Sequence, residues 1–450
     1  MNKIIQRFCS TSKRWSFEAP IIGTKNLTLQ NLENPEKNAQ FPYVWLRDNC
    51  QCSQCFNDTS KSRIIDLKTN LKTLPIDVEI VTDIDKSVDD NGEPKIKSLH
   101  DKFNNEVEAT KMIANSVEEN DEPSVTGDIN RTYKVKIKWE DKHKSEYSLN
   151  WLLERTFTTN NRAKLDQVYK IRQIPWTSEQ FEQICSRFNF SDVLNDERIL
   201  LKWLECLSTY GVAIVTRAGV EIGALKQLAS RVGFLKRTQY GETFRVEAKP
   251  GTSNVAYLSS KLQLHTDLPY YEYKPGLNML HCLIQAEGNL QGINQLVDCL
   301  AVIHHLRTNQ RSVFDILSKT IVDWSDYGED SGYKFANIHR APVICLDSRG
   351  EVSRVNFSQP QRDSVFNVTI EEVEPWYEAM AEFTRLLHDP KYLLEFKLSP
   401  GEILTFDNIR LVHGRLGYEG ERLLEGGYLD WDLVRSRIRV LRSELNKNHE

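Results

Sequence analysis

The chain has 450 residues and a mass of 52.2 kDa, which is enough for two or three domains with large hydrophobic cores. Its net charge of −5 excludes a general attraction to nucleic acid or anionic lipid. No apolar stretch approaches the roughly 20 residues that cross a bilayer. The composition therefore predicts a soluble globular protein with neither a nucleic-acid nor a membrane partner.

The first 20 residues differ in composition from the rest of the chain. Several basic residues, Ser and Thr precede the first acid, Glu18, and Ile4, Ile5 and Phe8 would share one face of a helix. This pattern is typical of a mitochondrial transit segment and lacks the apolar core of a secretory signal. Nine cysteines without disulfide-framework spacing also fit a reducing compartment such as the mitochondrial matrix. A cytoplasmic protein with a basic N-terminus is the alternative.

Composition divides the remainder into two predicted domains. The first, 21–157, contains a cysteine cluster and the alternating strand Tyr133–Trp139, and is interrupted by an acidic insertion at about 83–130. A short helix could form at 106–117 within that insertion. A linker at 158–175 leads to the second domain, 176–445.

The second domain begins with helical patterns and continues with short strands. Helices are predicted at 192–209, ending before Gly211, and at 221–232, ending before Gly233, with a buried strand Val212–Thr216 between them. Further strands are predicted at 254–258, 277–284, 341–345 and 353–357, and one long helix at 370–387. Many short strands with few crossover helices predict a mainly β fold with flanking helices, an antiparallel double-sheet jelly roll.

Candidate metal ligands lie in two strand-like segments of this second domain. His265 and Asp267 are two residues apart in an alternating run, so both side chains would point to one side of a strand. His413 lies in a second short strand, which follows an apolar strand and a polar turn. Two histidines and one carboxylate are the ligand set of non-haem Fe(II) oxygenases, which leaves three metal positions open. A His-x-Asp tripeptide alone often arises by chance, so this prediction depends on the other motifs in the chain.

Cys50, Cys52 and Cys55 place three thiols within six residues. Three thiolates need a fourth ligand to close a tetrahedral structural zinc site, and His143, after the acidic insertion, is the best candidate. Such a closed site has no open position for chemistry and would stabilise a small domain. Three unrelated free cysteines are an alternative, and an iron–sulfur cluster would require a fourth nearby cysteine.

Four motifs together resemble a known family. They are Leu46-Arg-Asp-Asn-Cys50-x-Cys52-x-x-Cys55, Leu262-Gln-Leu-His265-Thr-Asp267, Thr405-Phe-Asp-Asn-x-Arg-Leu-Val-His413-Gly-Arg415 and Leu424-Glu-Gly-Gly-Tyr428-Leu-Asp430-Trp-Asp432. They resemble the gamma-butyrobetaine and trimethyllysine dioxygenase family of Fe(II)/2-oxoglutarate oxygenases, over about 41–442. The resemblance implies a double-stranded β-helix (jelly roll) catalytic domain, a small N-terminal zinc-binding α+β domain and a homodimer.

The same resemblance implies hydroxylation of a small trimethylammonium amino acid. O2 and 2-oxoglutarate would be the cosubstrates, L-ascorbate the reductant of Fe(2+), and succinate and CO2 the co-products. The last motif is more similar to the butyrobetaine branch, which forms L-carnitine in carnitine biosynthesis. Trimethyllysine or another trimethylammonium substrate is the alternative within this class. An inactive zinc-bearing interaction protein is the alternative from another class, and the intact iron ligands argue against it.

The resemblance also assigns individual site residues. The iron ligands are His265, Asp267 and His413, and the zinc ligands are Cys50, Cys52, Cys55 and His143. Arg422 would bind the distal carboxylate of 2-oxoglutarate through two parallel hydrogen bonds, with Arg410 and Arg415 as competitors. The substrate-binding residues are Tyr240, Phe244, Asn254, Tyr257 and Tyr428.

Three positions depart from the family pattern and leave the exact substrate open. Phe244 stands where the family has Trp, Leu268 where it has a Tyr, and Ser358 where it has an Asn that orients the substrate. A desolvated cation–π contact contributes about 2 kcal/mol, so each lost ring matters. One of the three tyrosines at 270, 271 and 273 could compensate. Three other histidines are expected to be structural, namely His281, His304 and His305.

Overall fold

The computed structural model describes residues 21–29, 38–68, 71–82, 133–248, 258–330 and 332–447. The chain divides into two compact units, 1–167 and 168–450. The predicted transit segment, the predicted helix at 106–117 and all but the last residue of the predicted strand at 254–258 lie outside the described residues. Among the described helices, none has the length and apolar character of a membrane span.

The first unit contains two three-stranded antiparallel sheets and a short hairpin. Its strands are β1 Ile21–Ile22, β2 Asn26–Leu29, β3 Ala39–Pro42, β4 Phe56–Asn57, β5 Ser62–Arg63, β6 Pro75–Thr82, β7 Tyr133–Trp139 and β8 Lys144–Ser148. Its helices are α1 Tyr43–Asp48 and α2 Leu149–Leu153. On β7 the residues Val135, Ile137 and Trp139 are buried in alternation, as a strand with one covered face requires.

A helix occupies much of the predicted linker. This helix, α3 Thr159–Tyr169, buries none of its residues, and the boundary between the two units lies within it.

The second unit is built mainly from strands. They are β9 Arg187–Asn189, β10 Val212–Thr216, β11 Thr243–Val246, β12 Leu262–His265, β13 Leu277–Ile284, β14 Asn294–Asp298, β15 Val322–Asp330, β16 Tyr333–Ala341, β17 Ile344–Leu346, β18 Val352–Val355, β19 Leu394–Phe396, β20 Ile403–Asp407, β21 Leu411–Arg415 and β22 Leu423–Leu429. Its helices are α4 Phe181–Ile184, α5 Phe190–Asn195, α6 Glu197–Tyr210, α7 Ala224–Val232, α8 Cys299–Asn309, α9 Arg311–Lys319, α10 Ile370–Leu387 and α11 Trp431–Lys447.

Two sheets carry the fold of the second unit. The larger has the order β11-β22-β13-β20-β10-β9, and the smaller has the order β12-β21-β14-β19. Every pairing in them is antiparallel except that of β9 with β10. Because sequence-distant strands are neighbours, β12 and β21 lie side by side although about 150 residues separate them.

Strong local patterns were predicted correctly. The strands Val212–Thr216 and Leu277–Ile284 and the helix Ile370–Leu387 are confirmed at both ends. Gly211 ends α6 with φ of 77°, the left-handed conformation that glycine adopts without steric cost. The prediction of a helix end before Gly211 is therefore confirmed.

Four predicted elements were wrong in their extent. The single helix at 192–209 is two helices, because the Asp196 side chain accepts hydrogen bonds from the N–H groups of Arg198 and Ile199 and so begins a new helix. The helix predicted from 221 begins at Ala224. The strand at 341–345 is the junction of β16 and β17, interrupted by Pro342, which has no N–H for a ladder. The strand at 353–357 is Val352–Val355.

Candidate active site

Strand pairing brings the two predicted histidines face to face. His265 on β12 lies directly opposite His413 on β21, and their ring centroids are 4.2 Å apart. The neighbouring Gly414 allows this close approach, since a Cβ there would lie 2.8 Å from the carbonyl oxygen of Leu262. A pair separated by 148 positions in the sequence therefore becomes a cross-strand neighbour.

Asp267 completes a three-residue cluster. Its Oδ1 lies 3.1 Å from Nε2 of His265 and 3.6 Å from Nε2 of His413. Adjacent donors of an octahedral metal with bonds of about 2.1 Å lie about 3 Å apart. The three donors therefore fit one face of an octahedral ion and leave the opposite face open.

The second oxygen of Asp267 is held by two hydrogen bonds. Oδ2 accepts from Nδ2 of Asn278 at 2.6 Å and from the hydroxyl of Tyr428 at 2.8 Å. Asn408 holds the backbone of Asp267, accepting its N–H at 2.7 Å and donating to its carbonyl at 3.0 Å. Neither Asn278 nor Asn408 was predicted as a site residue, although the polar Asp407-Asn408 pair in an apolar run was a usable signal for Asn408.

The cluster has the protonation states that metal binding requires. Burial and the proximity of His265 lower the pKa of His413 to about 3, so its ring is neutral near pH 7. Burial acts to raise the pKa of Asp267, but the two histidines and Tyr428 outweigh it and hold the pKa below its usual range. Nδ1 of His265 donates to the carbonyl of Gln263 at 2.8 Å, which directs Nε2 toward Asp267.

Three arginines were candidates for binding a carboxylate, and the structure distinguishes them. Arg410 already has an acid, because its Nε and Nη2 bind both oxygens of Asp298 at 2.9 and 2.7 Å. Arg415 donates to backbone carbonyls of 258–260 and lies over the ring of Tyr418. Arg410 is therefore occupied, which leaves Arg415 and Arg422 available to a ligand.

Arg422 is buried without a carboxylate partner among the residues that the structure describes. Its hydrogen bonds to described side chains run from Nε to Oε1 of Gln285 at 3.2 Å and from Nη2 to Oδ1 of Asn294 at 3.4 Å, and its guanidinium lies 5.6 Å from the ring centroid of Tyr418. Burial lowers the pKa of its guanidinium to about 10. The lowered pKa indicates that nearby groups compensate the positive charge of Arg422 poorly. Arg422 is thus the best-placed cation for an incoming carboxylate.

One cavity joins the cluster, Arg422 and the predicted aromatic residues. It encloses about 890 Å³ of space that opens to solvent. Its lining includes His265, Asp267, His413, Arg415, Arg422, Tyr240, Phe244, Tyr270, Tyr428, Leu268, Ser358 and Gln361. Leu262, Leu280 and Leu424 add apolar surface to the same wall.

Three of the five predicted substrate-binding residues form an aromatic wall in this cavity. The ring of Phe244 lies 6.2 Å from that of Tyr240 and 5.1 Å from that of Tyr428. Gly426 makes room for Phe244, because a Cβ there would lie 2.2 Å from the ring. Asn254 and Tyr257 lie outside the described residues.

The departures from the family pattern also line the cavity. Leu268 and Ser358 are both in its wall, and Ser358 Oγ donates to Oε1 of Gln361 at 2.9 Å. This bond leaves the amide N–H groups of Gln361 as donors. Of the three tyrosines considered as compensating rings, Tyr270 lines the cavity, whereas Tyr273 is 76% exposed.

The predicted zinc residues converge in the first unit. Nε2 of His143 lies 3.2 Å from Sγ of Cys50 and 3.6 Å from the sulfurs of Cys52 and Cys55. A tetrahedral Zn²⁺ with bonds of about 2.3 Å to sulfur and 2.0 Å to nitrogen would separate these atoms by about 3.5 Å. The turn between β7 and β8 presents His143, and Arg47 donates to Cys55 Sγ at 3.5 Å.

The Cys50 thiol needs a cation in order to ionise. Burial raises the pKa of Cys50 to about 12, so without a metal it would be protonated near neutral pH. A bound Zn²⁺ would deprotonate the thiols. The four side chains could therefore hold one zinc ion.

The comparisons with known proteins agree with this division of the chain. The family described as taurine catabolism dioxygenase TauD, TfdA family matches residues 170–428, and the gamma-butyrobetaine hydroxylase-like N-terminal family matches residues 25–153. The chain is 34% identical over 426 residues to gamma-butyrobetaine dioxygenase of Homo sapiens, covering 94% of this chain and 96% of that protein.

Two further relatives represent the two branches of the predicted family, one for each branch. Gamma-butyrobetaine dioxygenase of Pseudomonas sp. (strain AK-1) is 27% identical, covering 89% of this chain and 90% of that protein. The mitochondrial trimethyllysine dioxygenase of Mus musculus is 25% identical, covering 89% of this chain and 83% of that protein.

Proposed function

Since the chain belongs to the taurine catabolism dioxygenase TauD, TfdA family, we propose that it is an Fe(II)- and 2-oxoglutarate-dependent dioxygenase that hydroxylates gamma-butyrobetaine to L-carnitine. The observation that carries the proposal is one cavity lined by both the His265, Asp267, His413 cluster and Arg422, which has no acidic partner among the described residues. Two imidazoles and a carboxylate fit ferrous ion, and a buried cation fits the distal carboxylate of a keto acid.

Each side chain has a defined task in this proposal. His265, Asp267 and His413 would hold the iron, with Asn278, Tyr428 and Asn408 fixing the carboxylate. Arg422 would bind 2-oxoglutarate through a planar pair of hydrogen bonds. When bound, iron supplies the activation of O2, whose atoms end in succinate and in the new hydroxyl group while CO2 is released. The apolar residues Leu262, Leu280 and Leu424 exclude water from that step.

The aromatic wall would bind the trimethylammonium group. This group has no hydrogen-bond donor, so ring faces are the surfaces that attract it. Tyr240, Phe244 and Tyr428 provide three such faces, and Asn254 and Tyr257 are proposed to complete the substrate site from outside the described residues. The amide of Gln361, oriented by Ser358, is a donor for the substrate carboxylate in place of the family's Asn.

Trimethyllysine hydroxylation is the second candidate function. Similarity to the mouse trimethyllysine dioxygenase supports it. Trimethyllysine carries an additional α-ammonium group, which would need an acid. In the described part of the cavity wall, Asp267 is the only carboxylate, and it belongs to the proposed iron site. Gamma-butyrobetaine, which has no such group, therefore fits this wall better.

Succinate release tests the proposal. Purified protein would be incubated with ferrous iron, ascorbate, 2-oxoglutarate and either gamma-butyrobetaine, trimethyllysine or no amine, with the His265→Ala variant as the metal-site control. We expect gamma-butyrobetaine to give the largest stimulation, and its hydroxylated product to be detected by mass spectrometry. Preferential turnover of trimethyllysine would support the second candidate. No succinate under any condition would support an interaction protein without catalysis.

We also propose a structural zinc ion on Cys50, Cys52, Cys55 and His143, and a double-stranded β-helix formed by the six- and four-stranded sheets. The interatomic distances around His143 support the first, and the antiparallel strand orders support the second. Metal analysis of the purified protein would test the zinc assignment.

Cleavage and import into the mitochondrial matrix are proposed for residues 1–20, with the cytoplasm as the alternative. The mitochondrial mouse relative supports import, and microscopy of a C-terminal fluorescent fusion with and without residues 1–20 would test it. A homodimer is proposed on the family resemblance, and light scattering during size-exclusion chromatography would test it.

A further inference from the structure

We propose that Asp326 sets the preference of this protein for a cationic substrate headgroup, and that it acts through the phenols of Tyr270 and Tyr240. The inference rests on the proposed function and adds a specificity-determining residue outside the cavity wall. It comes from the hairpin of β15 and β16. The contact of this hairpin with the aromatic wall was not predicted from the sequence.

Tyr270 enters the cavity because the chain turns sharply after Asp267. Leu268 has a φ of 54°, and the N–H of Tyr271 donates to the Leu268 carbonyl at 3.1 Å. This turn directs Tyr270 back to the wall, where only 2% of the residue is exposed and its hydroxyl lies 3.4 Å from that of Tyr240. A left-handed conformation in a leucine costs free energy, and here it places a fourth aromatic residue beside the cluster.

Asp326 lies behind these two phenols. Nε2 of Gln239 donates to Oδ2 of Asp326 at 3.2 Å and lies 3.3 Å from the Tyr270 hydroxyl. Burial raises the pKa of Asp326, and side-chain hydrogen bonds from Tyr270, Gln239 and Tyr240 oppose that rise. The carboxylate is thus joined to the aromatic wall by hydroxyl and amide donors.

No lysine or arginine within the described ranges pairs with Asp326. Two other acids in the same unit have such partners, since Asp298 pairs with Arg410 and Asp323 pairs with Arg340. Asp326 is therefore a half-buried acid without a described basic partner, beside a cavity whose described wall offers no cation at the aromatic side. A half-buried charge of this kind is stabilised when an opposite charge binds nearby.

Gln239 holds the network in one geometry. Its Oε1 accepts from Nδ2 of Asn337 at 2.7 Å and from the hydroxyl of Tyr271 at 3.0 Å. Asn337 is the cross-strand partner of Asp326 in the hairpin. The carboxylate is therefore fixed relative to the rings rather than free to swing into solvent.

The chemistry favours a quaternary ammonium group over a neutral group of equal shape. Such a cation cannot donate a hydrogen bond, so it is attracted by ring faces and by charge at longer range. Phenols that donate to a carboxylate present more negative ring faces, and the carboxylate adds its own field in a medium of low dielectric constant. A neutral isostere would experience neither attraction.

The test compares a cation with its carbon isostere. The KM for gamma-butyrobetaine would be measured by succinate release, and 5,5-dimethylhexanoate, in which carbon replaces the quaternary nitrogen, would be measured as a competitive inhibitor. The variants are Asp326→Asn and Tyr270→Phe, which keeps the ring and removes the hydroxyl. Glu329→Gln is the control, because it removes one exposed acid from the same strand.

We expect Asp326→Asn to raise KM for the cation about tenfold, equivalent to 1.4 kcal/mol, while the Ki of the isostere changes less than about twofold by the same reasoning. Tyr270→Phe should shift the ratio of KM to Ki in the same direction, and Glu329→Gln should not shift it. If KM and Ki rise together, the network only docks the hairpin and the inference is wrong; unchanged values for both variants also overturn it.

Failure of the underlying function would give a different result. A wild-type protein that releases no succinate with gamma-butyrobetaine would refute the proposed function and, with it, this inference. Wild-type turnover combined with an unshifted ratio would refute the inference alone. Should Asp326→Asn not fold, Tyr270→Phe gives the same discrimination.

Discussion

Arg422 and Arg410 are both buried, yet we expect their removal to have opposite effects on stability. Arg422 lacks an acidic partner among the described residues, and burial lowers its pKa from 12.5 to about 10. At 1.36 kcal/mol per pKa unit this shift corresponds to about 3 kcal/mol of destabilisation, to order of magnitude. Because the folded pKa is the lower one, the penalty is fully present below pH 10 and disappears above the unfolded value.

Arg422→Met should therefore stabilise the free protein by about 1–3 kcal/mol, after allowing for the lost bonds to Gln285 and Asn294. That gain should raise Tm by several degrees, at about 2–4 °C per kcal/mol. The matched variant Arg410→Met should lower stability by about 3–5 kcal/mol, because it leaves the Asp298 carboxylate buried without its cationic partner.

Thermal melts with and without 2-oxoglutarate, with Mn²⁺ in place of iron to prevent turnover, would measure both effects. Wild-type protein should gain about 2.7 kcal/mol at a ligand concentration 100 times Kd, whereas Arg422→Met should gain none and should release no succinate. If Arg422→Met melts below wild type and is still stabilised by 2-oxoglutarate, then Arg422 is a structural residue and Arg415 becomes the carboxylate ligand.

Three further substitutions test other parts of the structure. His143→Ala should lower zinc content and Tm while iron affinity stays nearly unchanged; an unaltered zinc stoichiometry would show that His143 is not a ligand. Tyr428→Phe should weaken iron binding about tenfold by removing a donor to Asp267, and an unchanged metal titration would contradict that role. Burial lowers the pKa of Lys274 to about 7, so Lys274→Met should be more stable than wild type, by up to about 5 kcal/mol below pH 7. That gap should narrow between pH 7 and 10.5, where the folded protein has lost the proton that the unfolded chain still holds, and melts at pH 6 and 9.5 that show equal gaps would refute the prediction.

Local sequence patterns predicted the elements that hold the cluster. The alternation of apolar and polar residues identified the strand of His265. The polar turn at Asp407-Asn408 separated an apolar strand from the next strand, which contains His413. The period of two in a strand predicted that His265 and Asp267 would share a side. The predicted strand was too long, however, because it ends at His265, and Asp267 lies in a bend that Asn408 holds. These features depend on residues next to one another in the chain, which is why sequence carries them.

Tertiary contacts decided what the sequence left open. Three arginines of equal chemistry could be separated only by their partners, since one binds Asp298 and another has no described acid. The tyrosines at 270, 271 and 273 likewise differ only in direction, which a left-handed leucine determines. No composition rule marks that turn, because the left-handed region normally signals glycine or asparagine.

In the proposed function, Arg422 and Asp326, which have no partner of opposite charge among the described residues, would determine which ligand binds at each position. Arg422 lies immediately before β22. Tyr428, which belongs to the aromatic wall, lies near the end of that strand. An anionic keto acid is therefore attracted to the start of β22 and repelled by Asp326 behind the rings, whereas a trimethylammonium group experiences the reverse. Because 2-oxoglutarate carries no cationic group, it would not neutralise Asp326, so the aromatic wall would favour the trimethylammonium group over the keto acid. The orientation of the substrate toward the cluster of His265, Asp267 and His413 thus follows from the positions of two side chains that do not belong to that cluster.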